Sequence, residues 1–498
     1  MTDARLRIAA VDLGAETGRV LVGGFDGTRL TIDEAHRFPN LPVSLGGTLY
    51  WDFLRLFGDV VQGLRRAGAT GAVDSVGVDT WGVDFGLLDA RGNLVANPVH
   101  YRDPRTDGIE EGALAVVPRS EIYGVTGIQF MRINTLYQLM ALARADDPSL
   151  RAAQRLLLVP DLFGYFLSGA AVGEYTNAST TQCLDARSRD WARPMLQRLA
   201  IPTDLLPEIV DAGTVLGGLR PEFADAPGLA GTRVIAPATH DTASAVVGTP
   251  LLTPDAAFLS SGTWSLIGVE IAAPVLSERA LAANLTNEGG AAGTIRLLKN
   301  VAGLWLLQES RRAIWPRGDA PSYDALAGLA EAAPAFTAFI DPDDDRFSRP
   351  GDLPSRIRAY CAETGQVVPT ETGTLVRVIL ESLALRYAEA IDQIASASGR
   401  AIGRLHVVGG GANNRLLCHL TACATGLPVT AGPVEATAAG NLAVQAIVAG
   451  ELASISEARQ LVAQSFRLTH YEPSGDWAEA RARFAALAHR APTSPPEP

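Results

Sequence analysis

Val234-Ile235-Ala236-Pro237-Ala238-Thr239-His240-Asp241-Thr242-Ala243-Ser244-Ala245 is the stretch on which the reading of this chain turns. An apolar run rich in β-branched residues stops at Pro237. A polar cluster from Thr239 to Thr242 follows, and then small residues suited to helix packing. That order predicts a buried strand, a tight turn and the start of a helix. Asp241 then falls at or beside the helix N-cap, where backbone N–H groups and the helix dipole favour its ionised form. A carboxylate held there caps the helix, or accepts a proton from a bound hydroxyl. The stretch alone leaves both open.

Composition narrows the field. A chain of 498 residues suggests two large domains or three smaller ones. With 47% hydrophobic and 19% charged residues it can bury a large core and is far from a disordered composition. The net charge of −12 argues against general nucleic-acid binding, though not against a local anion pocket. No uncharged run reaches membrane-spanning length; the best candidate, residues 156–172, contains Pro160 and Asp161. The first apolar run stops at Asp12, too short for a signal peptide. Cys183, Cys361, Cys418 and Cys423 show no C-x-x-C spacing and read as reduced thiols of a cytoplasmic protein. The seven histidines form no H-x-x-x-H pair, so no structural zinc is expected. Lys299 is the only lysine and stands in Leu298-Lys299-Asn300, which excludes a Walker A loop. A nucleotide here would be held by backbone amides, hydroxyls, arginine and metal.

Working outward, residues 8–13 read as a buried strand, 14–19 as a turn and 20–25 as a second strand. The turn's glycines allow N–H groups to face an anion, and Asp12 at the strand end is placed to hold a hydrated magnesium ion. An ordinary hairpin explains the same letters. Glu16 is awkward at a phosphate site, so its side chain is expected to point away. A helix is expected over residues 50–70, opened by Trp51-Asp52, then a strand over 73–78. Asp79-Thr80-Trp81-Gly82-Val83-Asp84-Phe85 next reads as a pocket wall or as a plain bulge, with Gly82 allowing close backbone approach. Residues 109–200 are mostly helical by period, and Tyr175-Thr176-Asn177-Ala178-Ser179-Thr180-Thr181 is a hydroxyl-rich loop of open role. Residues 256–269 repeat the strand, Gly/Ser turn and strand of the opening hairpin. Residues 341–352, rich in aspartate, read as a solvated loop, and 371–398 as a long amphipathic helix. The strand 405–408, Gly409-Gly410-Gly411 and a helix from Arg415 suit a nucleoside face or a phosphate, or form a plain turn. They lack the G-x-G-x-x-G spacing of a dinucleotide fold.

Taken together, Val11-Asp12-Leu13-Gly14-Ala15, the stretch from Asp79 to Phe85, Tyr101-Arg102-Asp103, His240-Asp241-Thr242-Ala243-Ser244-Ala245, Leu259-Ser260-Ser261-Gly262-Thr263-Trp264-Ser265, Leu298-Lys299-Asn300 with Gly303-Leu304-Trp305-Leu306-Leu307-Gln308, and Val408-Gly409-Gly410-Gly411 resemble the FGGY carbohydrate kinases. They occur in the family's order over residues 9 to about 445. The resemblance implies an α/β fold of two actin/hexokinase-like (ribonuclease H-like) domains flanking an interdomain cleft. Residues 1–248 would carry the sugar site and catalytic base, 249–485 the nucleotide site, and 486–498 would be a disordered tail. It implies transfer of the γ-phosphoryl group of ATP to the 1-hydroxyl of L-rhamnulose, with Asp241 as general base. Gly82, His240, Asp241, Thr242 and Asn300 would bind the sugar. Ala15, Glu16, Thr17, Gly18, Arg19, Thr263, Gln308 and Gly410 would bind ATP, and Asp12 Mg2+. Close relatives are expected to carry two small hydroxyl residues where this chain has Glu16-Thr17. Expected partners are a small sugar and ATP, with no nucleic acid and no membrane. A family member acting on L-fuculose, xylulose or glycerol is the alternative, and a non-enzymatic, nucleotide-gated protein like actin or a chaperone is another.

Overall fold

The computed structural model describes residues 5–488. Of the tail expected to be disordered, 486–498, residues 486–488 instead close the helix Ala478–Ala488, and those from 489 onward lie outside the described residues. The chain divides into two compact α/β units. The first takes residues up to 254 together with 268–299 and 435–467; the second takes 255–267, 300–434 and those from 468 on.

The first unit is built on a six-stranded sheet in the order Val215–Gly218, Arg233–Ile235, Ser75–Thr80, Leu6–Leu13, Thr17–Phe25, Leu30–Pro39. Leu6–Leu13, Ser75–Thr80 and Arg233–Ile235 run parallel. Ile8, Ala9, Ala10 and Val11 are fully buried in succession. Such an unbroken run is what a strand covered on both faces requires. The helix Ala436–Val448 supplies Ala439, Leu442 and Ala443 to the cluster that holds Ile8, Ala10, Leu21 and Phe25. The turn of the opening hairpin is shorter than expected. Strand pairing resumes at Thr17, and Gly14 N–H donates to the Thr17 carbonyl at 2.9 Å, so Thr17, Gly18 and Arg19 belong to the strand. Trp51 closes a strand, Thr48–Trp51, and Asp52 alone caps the helix Phe53–Ala69.

The second sheet has seven strands in the order Thr286–Gly289, Ile295–Ala302, Trp264–Ile271, Ala256–Ser261, Arg404–Val408, Val429–Ala431, Thr469–Tyr471. Ala256–Ser261, Arg404–Val408 and Val429–Ala431 run parallel. The long helix is Thr372–Ser398, stopped by Gly399 in the left-handed conformation at φ 69°. Residues 341–352 form a largely exposed loop, as expected, held at two points. Phe347 is buried and its carbonyl accepts from Trp305 Nε1 at 3.0 Å, while Asp343 pairs with Arg386 at 2.7 Å.

In the first unit the helix Asp241–Val247 lies against Ala436–Val448 at glycine distance. A Cβ on Gly440 would stand 2.7 Å from the Ser244 carbonyl carbon and 2.9 Å from Gly248 N. Backbone cannot give way as a side-chain tip can. Gly440→Ala is therefore expected to cost about 1–3 kcal/mol in urea unfolding, and an unchanged midpoint would show that the helices separate freely.

Candidate active site

The sheet register brings carboxylates to one edge of the first unit. Asp12 lies opposite Asp79 on parallel neighbours. Thr80 N–H donates to the Thr239 carbonyl at 2.9 Å, and Thr80 pairs with His240, so Asp241 follows at the same edge. The C-terminal ends of parallel strands are where open α/β sheets bind ligands. His240 is the N-cap residue and its side chain makes no capping bond; Asp241 is the first residue of the helix. Asp241 Oδ1 accepts from Thr242 N–H at 2.5 Å and Thr242 Oγ1 at 3.1 Å, and faces His240 Nε2 at 3.4 Å. Asp241 Oδ2 has no hydrogen bond among the described residues, and 30% of the side chain is accessible. So one oxygen serves the helix and the other is left for a proton donor. Burial lifts Asp241 above the usual aspartate range; His240 pulls it down and Asp12 pushes it up again.

Asp79 lies deeper. Burial and then Asp12 hold it well above the ordinary aspartate value, against the hydrogen bond from Asn441 Nδ2 to Oδ2 at 2.6 Å. Its Oδ1 is buried without a partner. Arg19 forms ion pairs with Asp12 and, at 2.5 Å, with Glu435. Desolvation would lower the guanidinium, but Asp12 and Glu435 outweigh it and keep it firmly protonated. In the adjoining turn, Asn40 takes the carbonyls of Gly14 at 2.8 Å through Nδ2 and of Glu16 at 2.9 Å through N–H.

The hydroxyl-rich loop is a frame for this edge. Glu174 is fully buried and accepts from Thr176 N–H and Oγ1, Asn177 N–H, and Thr239 N–H and Oγ1 at 2.6–3.3 Å. Burial raises Glu174 and these donors oppose it. Thr176 Oγ1 accepts from His240 N–H at 3.2 Å. Thr180 Oγ1 accepts from Val83 N–H at 3.1 Å, and a Cβ on Gly82 would meet that same Oγ1 at 2.8 Å. Val83 has φ 68°, a conformation that strains a β-branched residue. It is pinned by Thr135 Oγ1 donating to its carbonyl at 2.6 Å. Next to it, Asp84 accepts from Trp51 Nε1, Trp81 Nε1, Gln138 Nε2 and Tyr101 N–H at 2.6–3.2 Å. Behind His240 stands a fully buried guanidinium. Arg296 Nη2 lies 3.1 Å from His240 Nδ1 and 3.2 Å from Glu288 Oε2, and Nε donates to the Gly289 carbonyl at 2.8 Å.

The second unit gathers a different set at the ends of its own parallel strands, where Ser260 lies opposite Val408. The turn after Ala256–Ser261 is tied to the helix Trp305–Ile314: Leu304 N–H donates to the Gly262 carbonyl at 2.9 Å and Trp305 N–H to the Thr263 carbonyl at 3.1 Å. That helix carries Gln308, whose Oε1 is buried without a partner. Gly409 has φ 79°, and a Cβ there would stand 2.9 Å from the Ser261 carbonyl. A Cβ on Gly410 would meet nothing within 4 Å, so the backbone there faces open space. Asn300, in the strand Ile295–Ala302, is half-buried. The first unit contains Asp12, residues 15–19, Gly82, His240, Asp241 and Thr242, and the second contains Thr263, Asn300, Gln308 and Gly410.

Residues 8–248 match the N-terminal domain of the FGGY family of carbohydrate kinases, and residues 257–449 match its C-terminal domain. The chain belongs to the FGGY family of carbohydrate kinases. It is 45% identical over 465 residues to the rhamnulokinase of Bacteroides thetaiotaomicron, covering 93% of this chain and 95% of that one. It is 44% identical over 485 residues to the rhamnulokinase of Pectobacterium carotovorum subsp. carotovorum, covering 96% of each. Its fold is that of solved sugar kinases at 16% identity, gluconate kinase and ligand-bound xylulose kinase from Lactobacillus acidophilus. Each superposes with a TM-score of 0.77 over 97% of this chain and 96% of the other. These likenesses establish the two-domain actin/hexokinase-like fold. As a carbohydrate kinase of this family the chain uses ATP as phosphoryl donor.

For this FGGY kinase the sequence motifs point to Asp12 and Asp241, include Asp79 without giving it a role, and pass over Glu174, Glu288 and Arg296. One signal was available: Val78-Asp79 ends its strand as Val11-Asp12 ends its own. Glu174 stands directly before the hydroxyl-rich loop, but nothing in its spacing says that five donors converge on it.

Asp84 gives a stability test. Burial pushes it up to about 6 despite the four donors. Its contribution is full below the unfolded aspartate value and is lost as pH rises through about 6. The stability of the protein relative to Asp84→Asn is expected to fall by about 2 kcal/mol between about pH 4 and pH 7 in urea unfolding. A difference independent of pH would mean the donors already hold Asp84 ionised.

Proposed function

We propose that this kinase transfers the γ-phosphoryl group of ATP to the 1-hydroxyl of L-rhamnulose, with Asp241 as general base. The observation that carries the chemistry is the Asp241 carboxyl: partly accessible, one oxygen uncommitted, its basicity raised by burial at a strand-end edge. The rhamnulokinase relatives at 44–45% identity support the choice of sugar. Residues 1–248 carry the sugar site and base in this reading, and 249–485 the nucleotide site. Gly82, His240, Thr242 and Asn300 line the sugar. Residues 15–19, with Thr263, Gln308 and Gly410, hold ATP.

Phosphoryl transfer asks for in-line positioning and charge stabilisation more than for covalent help. Asp241 Oδ2 takes the hydroxyl proton as the new P–O bond forms, while Thr242 and the helix N-terminus keep Oδ1 in place. The space beside Gly82 is taken by the Thr180 side chain, so the glycine expected to admit a ligand instead lets Thr180 close on the backbone, and Gly82 would meet the sugar only through its own backbone. The open face at Gly410 suits a flat base, and the unpartnered Gln308 Oε1 suits an amino group on it. A hydrated magnesium ion fits the other end of the edge. Asp12 and Asp79 are in register, Asp79 Oδ1 is orphaned, and the crowding of like charge favours a cation. With two carboxylates as protein ligands, water and phosphate oxygens would complete the ion's shell. Bound there, it would neutralise charge developing on the phosphates. Among the described residues no helix is long and apolar enough to cross a membrane, and a cytoplasmic location is part of the proposal.

Asp241→Asn is expected to cut turnover by roughly 10²–10⁴-fold with the fold intact by circular dichroism. Near-wild-type turnover would leave Asp241 as a helix cap, as a nucleotide-gated, non-enzymatic protein would have it. Because Asp241 is raised, kcat should fall with falling pH at a point above the ordinary aspartate range. Across L-rhamnulose, L-fuculose, xylulose and glycerol, kcat/KM should be highest for L-rhamnulose; a clear preference for another sugar would overturn that choice. Glu16→Ser should change the KM for ATP only modestly, since the backbone donors remain; a collapse of ATP binding would make the carboxylate itself a ligand.

A further inference from the structure

Arg296 has no part in the roles given so far, yet it is the most buried cation of the first unit that touches them. Its side chain has 0% exposure. Nε is used by the Gly289 carbonyl at 2.8 Å and Nη2 meets His240 Nδ1 at 3.1 Å, while Nη1 has no hydrogen-bond partner. A buried guanidinium with an unmade bond is costly to keep, so its place calls for a reason. The strand that carries it is itself fixed to the hydroxyl-rich loop. Thr286–Gly289 pairs antiparallel with Ile295–Ala302, putting Arg296 opposite Glu288, and Gly289 N–H donates to Ser179 Oγ at 2.7 Å.

We infer that Arg296 is a positioning residue, whose guanidinium holds the His240 ring as the Nε2–H tautomer so that the ring donates towards Asp241 and the substrate. The inference deepens the proposed phosphoryl transfer and rests on it for the identity of the reaction. A guanidinium can only donate, so the nitrogen it meets at 3.1 Å must carry the lone pair. The ring proton then sits on Nε2, which faces Asp241 Oδ1 at 3.4 Å. A hydroxyl oxygen brought beside Asp241 would find a donor in Nε2–H and an acceptor in Asp241 Oδ2. Glu288 Oε2, 3.4 Å from Nδ1, would draw a proton to that nitrogen if Arg296 were absent. The charged and titratable groups around the ring are Asp241, Glu288 and Arg296. Glu174 reaches it through Thr176 and Thr239, Asp12 acts through Asp241, and Glu270 acts on Arg296. Within this set Arg296 is the group that keeps Nδ1 unprotonated.

The test is the 15N signature of the His240 ring, read in ¹⁵N-histidine-labelled full-length protein without sugar or ATP. His240 is assigned by loss of its signals in His240→Asn. The wild-type neutral ring should show a protonated Nε2 and a bare Nδ1. In Arg296→Met the proton should appear on Nδ1, and kcat should fall about 10²-fold with the KM for ATP unchanged. Arg296→Lys, which keeps a cationic donor, should restore the wild-type ring signature. A wild-type ring carrying its proton on Nδ1 would overturn the inference, and so would unchanged ring signals and kcat in folded Arg296→Met. The wild-type spectrum decides the matter even if the buried substitution prevents folding. Failure to phosphorylate L-rhamnulose would sink the functional reading and leave the ring signature to be judged by itself.

Discussion

Like charges held side by side at the ends of parallel strands are the constraint around which the first unit is arranged. The register that sets Asp12 against Asp79 is fixed by Ile8, Ala9, Ala10 and Val11, all buried, and by the helix laid over them. Side chains packed on both faces of the strand leave no room for a slip, so the register cannot relax to separate the carboxylates. Two unit charges a few ångströms apart at an effective dielectric near 20 repel by about 4 kcal/mol. The fold answers that repulsion locally. Arg19 neutralises Asp12 and Glu435, Asn441 holds Asp79, and His240 with Thr242 holds Asp241. What is left uncompensated is specific: Asp79 Oδ1 and Asp241 Oδ2. These are the atoms to which a cation and a substrate proton would be drawn.

Around this edge the polar interior is over-determined. Glu174 ties the loop after it to Thr239, and Thr176 ties the same loop to His240. Val83 is kept at positive φ by bonds to both its N–H and its carbonyl. Asp84 gathers Trp51 and Trp81, whose rings lie 4.1 Å apart between centroids. Each contact removes freedom from a residue next to one that would meet the sugar. A reaction that depends on positioning gains most from such rigidity, because the cost of ordering is met in folding and not at the moment of transfer.

Much of this was legible in the letters, for definable reasons. The strand, turn and helix around Asp241, the paired hairpins and the long helix from 372 announce themselves through apolar period and glycine placement. The resemblance carried by the ordered motifs led to the family, and the two domain matches bear that out. The misses have a common physical cause. Arg296 and Glu288 lie opposite each other on paired strands and are both buried, which neither segment's own letters announce. The Asp-rich segment 341–352 reads as solvated and is largely so, with Asp343 exposed; what the letters do not show is that Phe347 is buried and that Arg386 pairs with Asp343. Which charged residues are paired and buried is what apolar period does not encode.

The most direct measurement is a ¹³C titration of the Asp241 carboxyl in the sugar-free protein, made on the wild type and on Asp12→Asn. A carboxyl crowded at the strand ends should titrate above the usual aspartate range, and its midpoint should drop when the charge at position 12 is removed. A midpoint at or below the ordinary aspartate value, indifferent to residue 12, would show that the strand ends do not act on Asp241, and the account of this edge as a site for proton uptake would be contradicted.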